Sequence, residues 1–546
     1  MRPAVADGNH NSILTSSRSD APSPYSLDDG LGPEDVDASH SLLSKTVEPR
    51  LHKLSCWRKL CGVGVILARH CIRRRPRRRL CSLSFKIILS CAVALLVLTP
   101  FLAPSYLHPP AHYTRLADRC EARYNGPEDS IERIYGCANL FDEKVFISIS
   151  LYDQDGHLAA GDWGESLVEL VRLLGPSNVF VSIYEHDSSR RSATALEHLR
   201  RLLPCRHAVV YNDHVPLNLF TNVTLPDGTQ RIKHRAYLAE MRNRALRPLD
   251  ALDGVGGTVF DRVLFLDGVA FQPMDAAQLL FSTNVLDPAN GRAQYLSACA
   301  LEYKTLFSFG DLHAQRDAEG FSNGFPIFPF FSRASQGLSR ADMLAQKDAV
   351  RVQSCWSGMM ATDARFIQHR NASLPTPDFQ QVGRHVVDPV QPAGVSAPVR
   401  FRYEPEAFFD ASECCLLLAD ISQAASVAGA PASHTGVFVN PYVRVGSDQK
   451  TLRRVRFAQR WERLFAAPQA LISYWANLPT SNPYRHVRRG DIFVEEVWNS
   501  QANSWSLETR TGRSGLFCGM RTTQVLDGRP RTGDRNWENV AIPSRQ

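Results

Sequence analysis

Outside a single run of arginines, the chain has no excess of positive charge. The formal net charge is +7, and seven arginines between residues 69 and 79 account for all of it. They are Arg69, Arg73, Arg74, Arg75, Arg77, Arg78 and Arg79. The rest of the chain is therefore neutral overall. Because nucleic-acid-binding domains carry a basic surface, the composition excludes nucleic acid as the main partner.

The cysteines lack the spacing of a zinc site. Eight of the thirteen lie beyond residue 107: Cys120, Cys137, Cys205, Cys299, Cys355, Cys414, Cys415 and Cys518. None shows the spacing of zinc ligands, and the adjacent Cys414 and Cys415 are too close together for a metal pair of the usual kind. An even number permits disulfides in an oxidising compartment, but the pairing does not follow from the sequence.

One apolar segment is long enough to cross a membrane. It runs from Leu83 to Leu107, directly after the arginines, and about 20 helical residues at ~1.5 Å each span the ~30 Å hydrocarbon layer. A positive amino-terminal flank stays in the cytoplasm. A cleaved signal peptide is the alternative, but the segment starts too late and is too long. The arginines alone would also suit a nuclear-import patch. The sequence predicts a single-pass type II membrane protein.

Composition divides the chain into five parts. We predict a disordered cytoplasmic tail at 1–82, a transmembrane helix at 83–107, a stem at 108–143, a lumenal domain at 144–466 and a poorly ordered tail at 467–546. Ser, Asp, Pro and Gly dominate the beginning, and the end is polar and rich in arginine.

Two glycosylation sequons lie beyond the apolar segment. They begin at Asn222 and Asn371, and each has the Asn-X-Ser/Thr pattern. Each is short enough to arise by chance, so the pair supports the predicted lumenal location without establishing it.

The middle of the chain alternates strand and helix patterns. Buried strands are predicted at 145–149, 179–184 and 208–211, and a fourth ends on Asp267. Apolar residues at helical spacing separate them, and the first such stripe ends at Gly175. Strand and helix alternating at this spacing predict an α/β domain with a parallel sheet.

Asp267 follows its strand at the place where open α/β sheets bind ligands. Gly268, next to it, lets a ligand approach the backbone. Hard divalent cations prefer oxygen ligands, so this carboxylate suits a cation that bridges to phosphate. A plain turn aspartate explains the pattern equally well.

Two further pairs suit a phosphorylated ligand. Arg242 and Asn243, on a predicted helix, would contact base, ribose or phosphate, although arginines on helices are usually solvated. Arg316 and Asp317 combine a cation and a carboxylate before Gly320; a surface turn explains them equally well.

Trp356 and Glu413 complete the candidates. An indole stacks on sugar rings, although a tryptophan is more often core. Glu413 precedes an apolar run, so partial burial is expected, and a buried carboxylate must be paired or protonated.

Seven segments, in order, resemble the fungal capsule-associated mannosyltransferase family, glycosyltransferase family 69, which includes the cryptococcal α-1,3-mannosyltransferase. The similarity runs from about Lys144 to Gly446. The segments lie at 179–185, 237–243, 262–267, 316–320, 354–359, 411–416 and 440–446. Each is weak alone, and their order carries the resemblance.

The resemblance implies a Golgi-type type II enzyme with a GT-A, Rossmann-like nucleotide-sugar-binding fold. It would transfer mannose from GDP-mannose to a glycan hydroxyl, with retention of configuration and with Mn²⁺ or another divalent cation. On this interpretation we assign the candidates these roles: Asp267 and Glu302 as metal ligands, Arg242, Asn243, Arg316 and Trp356 as donor-binding residues, and Asp317 and Glu413 as catalytic residues.

The sequence departs from the family at the metal position. The family reads Leu-Asn-Asp-Val where this chain has Leu266-Asp267-Gly268-Val269, so the acid comes one residue early. One residue reverses the side-chain direction in a strand. Either the loop adjusts and Asp267 still reaches the metal, with Glu302 supplying a second ligand, or metal-dependent transfer is lost. The second case describes a non-catalytic polysaccharide-export or scaffold protein on the same fold.

Overall fold

The structure is a computed structural model. It describes residues 75–124, 135–186, 188–213, 215–251, 258–286, 291–368, 398–429, 436–480, 482–527 and 537–544. The chain divides into two compact units, 1–85 and 86–546. Within the first unit, the description begins with the backbone of helix α1 (Arg75–Leu102). Asn371 and most of the predicted cytoplasmic tail lie outside the described residues.

Among the described residues, α1 is the one helix long and apolar enough to cross a membrane. Its apolar segment, Phe85–Leu102, has a mean hydropathy of 2.3, and 6% of it is buried against the rest of the molecule. The helix ends five residues earlier than the predicted span, because Pro104 follows and the chain then enters the globular fold.

The remaining α-helices and the strands follow in chain order. The helices are α2 (Ala111–Tyr124), α3 (His157–Ala160), α4 (Asp162–Leu174), α5 (Arg190–Leu202), α6 (His234–Ala251), α7 (Pro273–Ser282), α8 (Leu338–Leu344), α9 (Glu413–Val427), α10 (Gln449–Ala458) and α11 (Ala466–Trp475). The strands are β1 (Val145–Leu151), β2 (Val179–His186), β3 (Arg206–Asp213), β4 (Asn222–Thr224), β5 (Gln230–Ile232), β6 (Arg262–Leu266), β7 (Ser297–Tyr303), β8 (Arg316–Asp317), β9 (Val350–Ser354), β10 (Met359–Asp363), β11 (Asp410–Ala411), β12 (Val437–Gly446), β13 (Ile492–Asn499), β14 (Ser504–Thr511), β15 (Gly519–Met520), β16 (Gln524–Leu526) and β17 (Trp537–Asn539).

A nine-stranded sheet, in the order β3-β2-β1-β6-β10-β7-β12-β9-β8, organises the fold. Strands β3, β2, β1 and β6 are mutually parallel, and β7 is parallel to β12. Strand β10 runs antiparallel between β6 and β7. The predicted α/β class and the parallel run are confirmed, but the sheet is mixed. The carboxyl ends of β1, β6 and β7 therefore share one edge.

Helices cover both faces of this sheet. Along β1, Phe146 packs into a core that includes α6 and α9 side chains. Val145, Ile147 and Ile149 point the other way, into a core that includes α4, α5 and α7. This alternation follows from the period of two along a strand, and it gives a three-layer α/β domain.

The predicted stem and tail belong to the folded unit. In the stem, α2 buries Leu116 in the core, and Cys120 forms a disulfide with Cys137. Residues 467–546, predicted to be poorly ordered, contain α11 and a β13–β14 hairpin among their described residues. Three of their arginines, Arg510, Arg513 and Arg521, are paired with carboxylates, for example Arg513 with Glu404 at 2.9 Å. The prediction of a poorly ordered tail differs from the structure because a polar, arginine-rich composition is typical of solvated segments.

Three disulfides connect distant parts of the described chain. Besides Cys120–Cys137, they are Cys299–Cys355 and Cys415–Cys518. Cys205 and Cys414 are buried free thiols. The second disulfide joins β7 to the turn before β10, and the third joins the start of α9 to the carboxyl-terminal segment.

Candidate active site

Asp267 lies at the carboxyl edge of the central sheet. All five residues of β6 are buried, and Leu266 pairs with Met359 of β10. The Asp267 N–H donates to the carbonyl of Gly358 at 2.8 Å, and its own carbonyl accepts from the Trp163 indole at 3.1 Å. The backbone is thus fixed on both sides, and the carboxylate is the part left to face the site.

Arg242, on α6, contacts two carboxylates and an aromatic ring. Its guanidinium donates to both oxygens of Asp267, at 2.7 and 3.2 Å, and to Glu413 at 3.3 Å. It also lies 4.3 Å from the ring centroid of Trp356, whose indole donates to Asp267 at 2.6 Å. Burial alone would lower the pKa of Arg242, but the charges of Asp267 and Glu413 outweigh it and raise that pKa.

Glu413 occupies the first turn of α9 and is buried. It accepts from Arg235 at 3.2 Å and from Arg242 at 3.3 Å. Burial would raise the pKa of its carboxyl group, but the two guanidinium groups lower it to about 2. The Cys415–Cys518 disulfide fixes this end of α9. Glu413 therefore carries a permanent negative charge that aligns two arginines.

Glu302, near the end of β7, is the unpaired carboxylate of the site. Within the described part of the chain, no hydrogen bond or ion pair holds it. Burial raises its pKa to about 7; Lys304 opposes this, and the neighbouring charges of Asp311 and Asp267 add to it. A side chain at Gly310 would lie 2.5 Å from the Glu302 carboxyl carbon. Glycine at that position is what leaves room for the carboxylate.

The loop after β7 brings Asp311 to the turn that precedes β10. Its carboxylate accepts from the backbone N–H groups of Trp356, Ser357 and Ala314, at 2.7, 3.2 and 2.9 Å. Burial raises the pKa of this carboxyl group, and the three hydrogen bonds oppose the shift. Asp311 therefore positions the Trp356 indole.

His313 lies in the same loop beside three cations. Burial lowers the pKa of its imidazole to about 3, and Arg235, Lys304 and Arg316 lower it further. Its buried Nδ1 has no hydrogen-bond partner in the described residues. The loop therefore holds a neutral imidazole with one buried, unpartnered nitrogen beside these cations.

The structure brings together four of the predicted site residues: Asp267, Arg242, Trp356 and Glu413. Glu302 joins them as an electrostatic neighbour of Asp267. Sequence reasoning missed Arg235, Asp311 and His313. Arg235 and Arg242 are seven residues apart on one helix, and this spacing would have indicated that they share a face. Asp311 and His313 lie in an irregular loop and offer no such signal.

The other predicted donor-binding and catalytic residues have backbone partners. Asn243 exchanges hydrogen bonds with the backbone of Phe401, at 2.9 Å each. Arg316 is buried and donates to four carbonyls, those of His313, Gln315, Phe517 and Cys518.

Asp317 accepts from the N–H groups of Glu319 and Phe321, at 2.9 and 2.8 Å. Burial raises the pKa of its carboxyl group to about 6. Its hydrogen bonds close a loop turn. Of the two sequons, Asn222 is exposed on β4.

The carboxylate oxygens of Glu302 and its neighbours supply part of what a divalent cation needs as ligands. Searched over the described residues, no group of three His, Cys, Asp or Glu side chains is arranged as a metal site. Cations such as Mg²⁺ often bind through one or two carboxylates plus substrate phosphates, so three protein ligands are not required. Glu302 is unpaired, and the negative charges of Asp267 and Asp311 favour a cation beside it.

The cations and carboxylates lie at the carboxyl edge of an α/β sheet, which is where folds of this class bind their ligands. Residues 144–420 match the family model described as Cryptococcal mannosyltransferase 1. Because the match covers just over half of the chain, the protein belongs to this family and is a glycosyltransferase. None of the curated proteins matches the chain.

Two solved structures overlap weakly with this one. Glucosyl-3-phosphoglycerate synthase from Mycobacterium tuberculosis, solved with Mn²⁺, uridine diphosphate and phosphoglyceric acid, is 10% identical, with coverage of 69% of this chain and 90% of that one, at a TM-score of 0.25. A structure titled only as a mycobacterial protein is 11% identical, with coverage of 72% and 87%, at a TM-score of 0.25. Overlaps this weak carry no information about the site.

Proposed function

We propose that the chain is a membrane-anchored mannosyltransferase that transfers mannose from GDP-mannose to a hydroxyl of a glycan or polysaccharide. The observation that carries this is the meeting of Arg235, Arg242, Asp267 and Glu413 at the carboxyl edge of the sheet. Family membership supports mannose as the transferred sugar. We also propose that the sheet has the GT-A-type arrangement.

The donor diphosphate would lie against the paired arginines. Glu413 holds Arg235 and Arg242 side by side, and guanidinium groups bind phosphate oxygens with two parallel hydrogen bonds. His313, beside Arg235, adds a neutral nitrogen. Arg316 neutralises charge from behind the loop and does not need to touch the donor. Asn243 would shape the site by fixing Phe401.

A divalent cation, Mn²⁺ first among those to test, would be held by Glu302 together with Asp267. Bound there, it would neutralise the developing charge on the diphosphate. The sugar would stack on Trp356, whose orientation is fixed because its indole N–H donates to Asp267 and its backbone N–H donates to Asp311.

In the transfer, the bond between the anomeric carbon and the β-phosphate oxygen breaks, and a bond to the acceptor oxygen forms on the same face. The acceptor proton passes to the departing phosphate, and GDP leaves. No dedicated base is needed in this scheme. Arg235 and Arg242 stabilise the negative charge that develops on the leaving group.

We further propose a type II topology, with α1 as the anchor and residues beyond 107 in the lumen of the Golgi or another secretory compartment. The arginines at the amino-terminal end of α1 and the exposed Asn222 sequon support this orientation. Glycosylation at Asn222, detected as a mobility shift reversed by an N-glycosidase, would test it.

Mannose transfer from GDP-mannose with Mn²⁺ tests the function. Asp267→Ala should reduce transfer by at least about 100-fold, because Arg242 and Trp356 lose the oxygens that orient them. Asp155→Ala, at an exposed loop carboxylate, is the matched control and should retain activity. Unchanged transfer in Asp267→Ala would contradict the assignment of the site.

A further inference from the structure

The carboxyl-terminal part of α1 forms a hydrogen bond with the globular domain at a position where the helix lacks one of its own hydrogen bonds. Pro100 lies inside the helix and has no N–H, so the Leu96 carbonyl four residues earlier lacks its helical donor. The indole N–H of Trp461 donates to that carbonyl at 2.8 Å. Because an unpaired carbonyl is costly in hydrocarbon, Trp461 completes the hydrogen bonding of a residue inside the apolar segment.

Further contacts fix the chain that leaves this helix. The hydroxyl of Ser105 donates to Glu462 at 2.5 Å, and Glu462 is paired with the buried Arg444 at 2.7 Å. The hydroxyl of Tyr106 donates to the Met343 carbonyl at 3.0 Å. Since these contacts begin within four residues of the helix end, the domain does not hang from a long flexible stem.

The surface beside this junction is aromatic and cationic. Phe457 on α10 is 59% exposed, and its ring centroid lies 5.2 Å from that of Trp461. The guanidinium of Arg460 lies 5.1 Å from the Phe457 ring centroid. The exposed Arg453 and Arg454 lie one turn earlier on the same helix. We call these five residues the junction face.

We propose that the junction face lies in the headgroup layer of the membrane that α1 spans. The proposal rests on the anchor proposed above. Leu96 is about 9 Å of helix rise from the end of α1 at Leu102. With Phe85–Leu102 across the bilayer, the Leu96 carbonyl would lie about 9 Å below the lumenal edge of the hydrocarbon, and the Trp461 side chain would reach it from the headgroup layer.

The chemistry of the junction face fits lipid headgroups. Tryptophan is enriched where an apolar ring meets the membrane interface, and arginines on a neighbouring helical turn reach lipid phosphates. A second protein could also cover an aromatic and cationic surface. The hydrogen bond to a residue inside the apolar segment favours the lipid, because it places Trp461 at the bilayer before any partner arrives.

Bromolipid quenching of introduced tryptophans tests the proposal. The full chain is reconstituted in nanodiscs whose acyl chains are brominated or not, as Phe457→Trp or as Val210→Trp. Both positions are exposed, so both variants should fold. Val210 lies on β3, the strand at one edge of the nine-stranded sheet, and β9 and β8 lie at the other edge. We expect the added fluorescence of Phe457→Trp to be quenched about threefold more than that of Val210→Trp.

Three results would overturn the proposal in distinguishable ways. Weak quenching at both positions, with free access of iodide, would show a junction face in water. Weak quenching at Phe457→Trp with iodide excluded would show a protein occupant, such as a second copy. A chain released from vesicles by alkaline carbonate would overturn the anchor itself, whereas the transferase function is tested separately by mannose transfer.

A second measurement does not depend on an introduced probe. Trp461→Phe removes one native indole and its hydrogen bond but keeps an aromatic ring. It should lower the bromolipid-quenchable part of the native fluorescence, whereas Trp505→Phe, on the carboxyl-terminal hairpin, should not. Equal loss in both variants would contradict the proposal.

Discussion

Arg242 is the residue on which the candidate site depends most, because it serves two carboxylates and an aromatic ring at once. A planar guanidinium can make a two-point contact with Asp267, reach Glu413 through Nε and stack on Trp356. A lysine ammonium offers a single point charge and no flat face. Charge alone therefore does not account for this position.

We predict that Arg242→Lys lowers mannose transfer by about 10- to 100-fold while the fold survives. The retained charge still neutralises part of the buried Glu413, but the contact with both Asp267 oxygens is lost. Initial rates with GDP-mannose and a thermal unfolding curve would measure the two effects. Arg201→Lys, at an exposed helical ion pair, is the control. Full activity in Arg242→Lys would show that the fork geometry is irrelevant.

His234 gives a pH prediction. It is buried against Trp537, with ring centroids 5.2 Å apart, and burial lowers its pKa from 6.5 to about 3. The folded state therefore keeps it neutral while the unfolded state takes up a proton below pH 6.5. The stability that it contributes is present above pH 6.5 and is lost as pH falls toward 3, by about 1.4 kcal/mol per pH unit.

The variant His234→Phe should flatten this part of the stability curve, because the ring remains and the titration disappears. Denaturant unfolding between pH 4 and 7 would measure the difference between the two slopes. His198→Phe, on the exposed face of α5, controls for the added ring. Parallel curves for the wild type and His234→Phe would contradict the prediction.

The sequence indicated individual site candidates where a charged side chain stands next to an apolar segment. Asp267 ends an apolar strand and Glu413 begins an apolar helix, so each stood out. Arg316 stood out for a different reason, as a cation beside a carboxylate before Gly320, yet its guanidinium is occupied by four carbonyls. A sequence does not reveal which partners a buried cation has, because two of those carbonyls, of Phe517 and Cys518, come from a segment remote along the chain.

At the level of elements, strand periodicity was the reliable signal. It placed β1, β2 and β6 within a few residues of their observed bounds, because buried parallel strands are continuous apolar runs. The antiparallel β10 was not predicted. It pairs with β6 and β7 along the sheet, and the Cys299–Cys355 disulfide and Asp311 fix the turn that precedes it.

The start of α9 is fixed by a disulfide to a distant part of the chain. Its first turn carries Glu413, and the disulfide from Cys415 to Cys518 closes a sequence separation of 103 residues. A loop of this length has much to gain from cross-linking, because its unfolded state is otherwise very open.

We predict that Cys415→Ala with Cys518→Ala lowers the free energy of unfolding by about 2–5 kcal/mol. Transfer should fall as well, since Glu413 would no longer hold Arg235 and Arg242 in register. Urea unfolding and initial rates measure the two losses. Cys205→Ala, at a buried free thiol, is the control for removing sulfur. Equal stability in the control and the double variant would contradict the prediction.

On the scale of the whole molecule, the carboxyl-terminal segment, residues 482–546, acts as a clamp: its side chains and carbonyls pair with buried charged groups of the domain that contains the family match. Arg513 neutralises the buried Glu404, and the carbonyls of Phe517 and Cys518 accept from Arg316. The matched family region ends at residue 420, so the clamp lies beyond it. Its polar composition hid this role, because the buried partners belong to the other part of the chain.

We predict that deleting residues 482–546 prevents the domain from folding. Glu404 would lose the buried ion pair with Arg513, a loss of about 3–5 kcal/mol, and Arg316 would lose two of its four carbonyl acceptors, a loss of about 1–3 kcal/mol. Two such losses, together with the missing disulfide, approach the whole stability of a domain. Deleting residues 2–50, a control of similar size that keeps the arginine run and α1, should leave a monodisperse, protease-resistant protein in detergent. A truncated chain that lacks 482–546 and still transfers mannose would show that the family domain is self-sufficient.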